Sequence, residues 1–160
     1  MLPEATAQNP GAAAIGERVS GAIIDAKQTA DGAVLTIAPE QILAVSRVLK
    51  ETGFERLSAI TAVDWWPTEP RFEVVYFYHS LKHNARLRAS VRIAEGAELD
   101  SICSVWHGAN WYEREVFDLF GIVFRDHPNL ERIMMPADWE GHPLRKDYPV
   151  HGHKYSYQDE

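Results

Sequence analysis

The segment Arg71-Phe72-Glu73-Val74-Val75-Tyr76-Phe77-Tyr78-His79 (RFEVVYFYH, residues 71–79) is the one on which the fold turns. Side chains alternate across a strand, so Phe72, Val74, Tyr76 and Tyr78 share one face and Glu73, Val75, Phe77 and His79 the other. Aromatic and β-branched residues suit a pleated surface, and two mostly apolar faces place this strand inside a sheet, between neighbours. After a polar loop, Arg86, Arg88 and Arg92 alternate with Leu87, Ala89, Val91 and Ile93, which predicts an antiparallel partner with one packed and one basic face. The basic face has two readings, a solvated surface that blunts a sheet edge or a docking surface. Upstream, Leu57 to Trp65 is a further strand candidate, broken by Pro67 and Pro70.

Working towards the N-terminus, Pro39 stands where a helix can start. Ile42, Val45 and Leu49 then form one apolar stripe that ends at Gly53. Val19 to Lys27 and Ala33 to Ile37 read as short strands around an Asp31-Gly32 turn. Ala14 to Arg18 allows a short helix, and residues 1–13 read as a flexible tail without periodicity. Towards the C-terminus, Leu99 to Trp106 is a short helix candidate. Asn110 and Glu113 have the spacing of a capping box for a helix over Trp111 to Phe120, with Tyr112, Val116, Leu119 and Phe120 as its buried stripe and Gly121 as its stop. Beyond it, Pro128, Pro136, Pro143 and Pro149 leave little room for regular structure. Irregular stretches of that length generally carry function or a partner. The expected organisation is a tail (1–13), one domain (14–125) and an extended partner-docking tail (126–160).

Composition removes several function classes. The chain has 160 residues, enough for one domain with a core but short for two enzyme domains. Apolar residues at 46% and charged residues at 24% are globular proportions, and no apolar run reaches the roughly 18 residues of a membrane span. Membrane association is therefore expected only through a partner. With 16 basic and 23 acidic residues the net charge is −7, the wrong sign for a general hold on nucleic acid. One cysteine, Cys103, permits no internal disulfide and cannot supply a cluster or structural zinc site. The N-terminus lacks the basic-then-apolar order of a secretory signal, and a reducing cytosolic setting is expected. No G-x-G turn or G-K-[ST] loop is present to cradle a dinucleotide or phosphate. The chain is therefore expected to carry no electrons itself.

His142, His151 and His153 lie close in sequence, but no H-E-x-x-H helix accompanies them and a native metal is not expected. His79 and His127 read as packed, hydrogen-bonded residues. Glu113, Glu115 and Asp118 invite an acid–base reading, with Glu115 and Asp118 sharing a helix face with Trp111 and Arg114. The simpler account is capping, a charged helix face and an Arg114–Asp118 ion pair, since no nucleophile accompanies them. Trp111, Phe124, Met134-Met135, Trp139 and Tyr148 crowd a charge-rich segment, which is the composition of an interface.

The run WYEREVFDLFGIVFRDHPNLERIMMPADWEGHPLRKDYP (Trp111 to Pro149) closely resembles the signature of the 30 kDa subunit family of respiratory complex I. The matching positions are Trp111, Glu113, Arg114, Glu115, Asp118, Gly121-Ile122, His127-Pro128, Leu130, Arg132-Ile133, Pro136 and the closing Gly141-His142-Pro143-Leu144-Arg145-Lys146-Asp147-Tyr148-Pro149. The resemblance implies an α+β fold in two layers, with helices on a mixed, mostly antiparallel sheet, and no cofactor on this chain. NADH, FMN, iron–sulfur clusters and quinone would be handled elsewhere in the complex. It further implies a peripheral-arm position on the cytoplasmic face of the bacterial membrane. There the protein would pack against the large quinone-site (49 kDa-type) subunit and adjacent iron–sulfur subunits of a proton-translocating NADH-quinone oxidoreductase. The chain stops soon after Pro149, as in short forms such as the photosynthetic-type J subunit, and related proteins serve ferredoxin-, reduced-deazaflavin- and hydrogenase-linked membrane complexes. A free-standing enzyme using Glu115 and Asp118, and a generic adaptor, remain as alternatives. The segment from Arg132 to Asp147 is expected to find its polar partners on other subunits, Arg145 through a carboxylate across the interface.

Overall fold

The computed structural model describes residues 4–150. Two helices open the chain, α1 (Glu4–Ala7) and α2 (Pro10–Arg18), followed by the hairpin β1 (Ile23–Thr29) and β2 (Gly32–Ile37). A short 3-10 turn (Pro39–Gln41) leads into α3 (Ile42–Glu51). Next come β3 (Arg56–Asp64), β4 (Phe72–Ser80), β5 (Ala85–Ile93), β6 (Glu98–Asp100), α4 (Ala109–Phe120) and β7 (Val123–Arg125). Five strands form one sheet in the order β1-β2-β5-β4-β3, antiparallel except for the parallel β2–β5 pair, and β6 pairs parallel with β7. This is the mixed α+β architecture the resemblance implies.

β4 pairs with β5 on one side and β3 on the other, as its two apolar faces require. Phe72, Val74, Tyr76 and Tyr78 are buried with their cross-strand partners Ile93, Val91, Ala89 and Leu87, and this face meets Ile42, Val45 and Leu49 of α3 in one core. Ser46 of α3 is hydrogen-bonded to the Tyr78 hydroxyl at 2.9 Å inside it. The opposite face holds Glu73, Val75, Phe77 and His79 against Arg92, Ser90, Arg88 and Arg86. Phe77 is exposed there, while Val75 and Ser90 beside it are buried, and the main core lies on the other face of the sheet.

Several expectations are corrected. Within the expected tail, residues 4–13 carry helix: Asn9 caps α2 by accepting from Gly11 and Ala12, and Ala12 and Ile15 are buried. Gly11 lets α2 approach closely, since a β-carbon there would lie 2.7 Å from Leu49 and Phe54. The hairpin turn is Ala30-Asp31, with Gly32 already in β2 opposite Thr29. Residues 99–106 are no helix; Leu99 belongs to β6, where pairing with β7 outweighs local helical spacing. α4 starts at Ala109 after Gly108 without a side-chain cap, so Asn110 lies within it and the capping box does not form. The expected stripe is half right: Val116 and Phe120 are buried, Tyr112 and Leu119 partly so, and Glu113 and Asp118 are buried as well. No helix among the described residues is long and apolar enough to cross a membrane.

Candidate functional site

α4 and the segment after it bring the signature residues together, and two carboxylates organise them. Asp118, fully buried, accepts from the backbone N–H groups of Ile133, Met134 and Met135 at 3.0, 2.7 and 2.9 Å through one oxygen. Its other oxygen takes Arg132 Nη1 at 2.6 Å, and its main-chain carbonyl accepts from Arg132 and from His142 Nδ1. Three successive N–H groups around one carboxylate form an anion-binding nest closed by the chain itself. Burial raises the Asp118 pKa, but those N–H groups and Arg132 outweigh it and hold the carboxyl below its usual range. The expected Arg114–Asp118 ion pair is therefore not the one made. Arg114 lies over the Trp111 ring and donates to the Glu131 carbonyl, because Asp118 points inward and Arg114 does not.

Glu113 faces a different loop. Its carboxylate accepts from the Ile102 N–H at 2.8 Å, the Ser101 hydroxyl at 2.6 Å and the Cys103 thiol at 3.3 Å. It ties down the loop after β6 and caps no helix. Burial raises the Glu113 pKa, and burial beside it pushes the Cys103 thiol up to about 12. His127 completes a group in which Cys103, Glu113 and His127 ligand atoms lie within 4.8 Å of one another. Each is already engaged: His127 Nδ1 accepts from the Asn129 N–H and Nε2 donates to the Asn110 carbonyl. A metal would have to displace these bonds, so the donor set reads as packing, as expected for His127. His151 and His153 lie outside the described residues.

A second junction joins the sheet to the C-terminal segment. Arg71, at the mouth of β4 and 2% exposed, is bidentate to Asp64 at 2.8 and 3.0 Å, reaches Asp147 at 2.6 and 3.0 Å, and donates to Glu95 at 2.9 Å. Asp64 also accepts from the Lys146 N–H at 2.9 Å. Burial raises the Asp64 pKa, yet Arg71 and these N–H donors bring it well below the usual carboxylate range. Asp147 is lowered chiefly by its hydrogen bonds to Arg71. Arg145 donates to the Phe120 carbonyl at 2.6 Å and to Glu95 at 2.9 Å. The expectation of an external acid for Arg145 is thus corrected: its carboxylate is Glu95 of the same chain. Leu144 N–H bonds the Leu119 carbonyl at 3.0 Å, and the Gly141 carbonyl accepts from Arg132 at 2.9 Å. The segment from Arg132 to Asp147 folds back onto its own domain, because α4 and the sheet mouth supply the carboxylates and carbonyls its backbone needs.

The other signature positions are placed as follows. Gly121 ends α4 at φ +75, in the left-handed cap the sequence predicts, with His142 and Arg145 packed where a β-carbon would stand. Glu115, Pro128, Pro136 and the Lys146 side chain are exposed, while Pro143 is half-buried. Glu115 and Asp118 therefore never form a pair, since one faces solvent and the other is enclosed. Asp64, Arg71 and Glu95 were not singled out from sequence; the only trace was an Asp and an Arg bracketing the Pro67 and Pro70 loop. Around these charges stand exposed Trp111, Met134 and Leu144 at 63%, 62% and 52%.

Fold and site define an α+β chain whose charged signature stitches its own C-terminal segment in place while large apolar side chains face outward. Residues 35–154 match the family described as respiratory-chain NADH dehydrogenase, 30 Kd subunit, and the chain belongs to that family. It is 44% identical over 138 residues to the C subunit of NADH-quinone oxidoreductase from Geotalea uraniireducens (strain Rf4), covering 85% of this chain and 84% of that one. It is 40% identical over 156 residues to the same-named protein of Xanthobacter autotrophicus (strain ATCC BAA-1158 / Py2), covering 95% and 75%. Among solved structures, it resembles a trypsin-resistant fragment (1-134) of Nqo5 with a TM-score of 0.62 and 31% identity, covering 66% of this chain and 89% of that one. It also resembles a chain of an archaeal respiratory membrane complex, the membrane-bound sulfane sulfur reductase, with a TM-score of 0.75 and 25% identity, covering 86% and 82%.

Proposed function

We propose that this chain is a peripheral-arm scaffold of a proton-translocating NADH-quinone oxidoreductase, binding no cofactor and packing against the large quinone-site subunit and neighbouring iron–sulfur subunits on the cytoplasmic face of the membrane. The observation that carries this reading is the division of labour in the signature. Asp118, Arg132, Arg145 and Asp147 are satisfied within the chain, and α4 together with the segment they fix presents Trp111, Met134 and Leu144 to the outside. Exposed Trp, Met and Leu on a pinned surface bury apolar area on assembly without an ordering cost. NADH, FMN, clusters and quinone then belong to the partners, and this chain sets their relative placement.

Affinity purification of the tagged chain from membranes of its source tests this. It should recover flavin- and cluster-bearing subunits with NADH-quinone activity, whereas the chain expressed alone should show no visible chromophore. Trp111→Asp with Met134→Asp should preserve the melting temperature and reduce recovery of the complex. Recovery of the chain alone, or a stoichiometric chromophore on it, overturns the reading. The likeness to the archaeal reductase favours a second reading, the equivalent subunit of a related ferredoxin-, deazaflavin- or hydrogenase-linked complex. Co-purification of partners that oxidise ferredoxin or reduced deazaflavin, or that carry hydrogenase activity, with no NADH oxidation, would select it.

A further inference from the structure

We infer that the uncovered face of the five-stranded sheet is a second docking surface, built for an extended acidic segment of a partner polypeptide; the inference rests on the scaffold reading above. The helices cover the face of Phe72, Tyr76 and Tyr78; on the other, Val75 and Ser90 at the centre are buried while Phe77, Val63 and Trp65 around them are exposed. On that second face Arg86, Arg88 and Arg92 stand on β5, Lys27 on β1 and Arg56 on β3, opposed by Glu73 and Asp25. Five cations against two carboxylates make the face positive on a chain whose net charge is −7.

The arginines are incompletely matched by this chain. Arg88 reaches Glu73 only at 3.7 Å, and Glu73 already accepts from the Trp65 indole at 2.9 Å. Arg92 donates to the Pro70 carbonyl, and the Nε atoms of both Arg88 and Arg92 are buried without a hydrogen-bond partner. Both guanidiniums lie on exposed aromatics, Arg88 over Phe77 and Arg92 over Trp65, with Val63 exposed nearby. A groove of about 630 Å³ runs past Lys27, Val34, Ala59, Phe77, Arg86 and Arg88.

The occupant follows from this pattern. Alternate residues of a strand are about 6.8 Å apart, so the row from Arg86 to Arg92 extends roughly 20 Å, too long for one anion and matched by several carboxylates along an extended chain. Phe77, Trp65 and Val63 between the charges call for apolar side chains, which a polypeptide supplies and a phosphate backbone does not. An anionic membrane or nucleic acid is an extended surface that would also face the acidic remainder of this molecule, whereas a single extended segment lies along the basic strip alone.

The test is photo-crosslinking in the assembled membrane complex, with a benzophenone amino acid at Phe77 and, separately, at Met134. Expected at Phe77 is an adduct on an acidic segment of another subunit. Arg86→Glu with Arg88→Glu should reduce recovery of the chain with the complex at least tenfold while its melting temperature stays within a few degrees, and Arg86→Lys with Arg88→Lys should retain most of it. Adducts at Met134 without any at Phe77 overturn this inference and leave the scaffold reading standing. Blank lanes at both positions overturn both. A Phe77 adduct on lipid, on nucleic acid or on a second copy of this chain also overturns it.

Discussion

Asp118 shows how one side chain on a charged-looking helix face becomes structural. Its oxygens receive three backbone N–H groups and one guanidinium. Asp118→Ala should therefore cost about 3 kcal/mol or more, because it strands those donors together with the Arg132 charge. Arg71→Met is the parallel case at the sheet mouth. It leaves Asp64 buried and unpaired and should cost about 3–5 kcal/mol, whereas Lys146→Ala should be nearly silent because only its backbone is engaged. Urea denaturation of the three variants checks both. At Gly121, valine meets positive φ and the His142 ring at 2.6 Å together, so Gly121→Val should cost more than the roughly 1 kcal/mol of backbone strain alone. Cys103, with its thiol at about 12 and donating to Glu113, should resist thiol reagents at pH 8 until the chain is unfolded. Rapid labelling of the native protein would remove the Glu113 pocket as described.

At the scale of elements, α4 is a two-sided clamp. Glu113 holds the loop after β6, Asp118 holds the segment from Arg132 to Met135, and the helix end receives Leu144 and Arg145. Arg145→Glu should accordingly lower the melting temperature of the isolated chain, since it sets a carboxylate against Glu95 and removes the bond to Phe120. The pH dependence follows from the same contacts. Asp64, Asp118 and Asp147 have depressed folded pKa values, so their stabilisation is fully present above the unfolded value of about 4 and is lost as pH falls from there through the lower folded values. His142 and His127, pushed down by burial, act in the same direction from about pH 6.5. Glu113 is raised and acts the opposite way, its contribution falling as pH rises above the ordinary carboxylate value. The two histidines begin the loss below about pH 6.5 and the three carboxylates add the larger part below about pH 4: limited proteolysis should begin cutting between Arg132 and Tyr148 as pH drops from 7 to about 3, before the sheet melts. Equal protection of that segment at both pH values would contradict the clamp.

For the whole molecule, the C-terminal segment is part of the fold and also the bearer of the outward apolar side chains. A chain ended before Gly141 loses Asp147 from Arg71 and Arg145 from Glu95. At about 2–4 °C per kcal/mol for a chain of this size, its melting temperature should fall by roughly 5–10 °C. An unchanged value would return the segment to the role of a loose docking arm.

What the sequence determined by itself was whatever depends on near neighbours. The alternation in Phe72 to His79, the stripe of Ile42, Val45 and Leu49, and the left-handed stop at Gly121 are readable because period and turn chemistry act over a few residues. The motif from Trp111 to Pro149 likewise led to the family. The tertiary structure alone decided where the charges go. Asp64 and Asp147 meet on Arg71 across more than 80 positions of chain, and Arg145 finds Glu95 fifty positions away, pairings that no local spacing encodes. The same limit explains Leu99 to Trp106, where Leu99 and Asp100 pair with a strand beyond α4 and the following residues form turns tied down by Glu113. Long-range pairing selects which polar groups are desolvated together, and desolvation, more than propensity, fixes whether a carboxylate is a solvated face, a catalyst or a clasp.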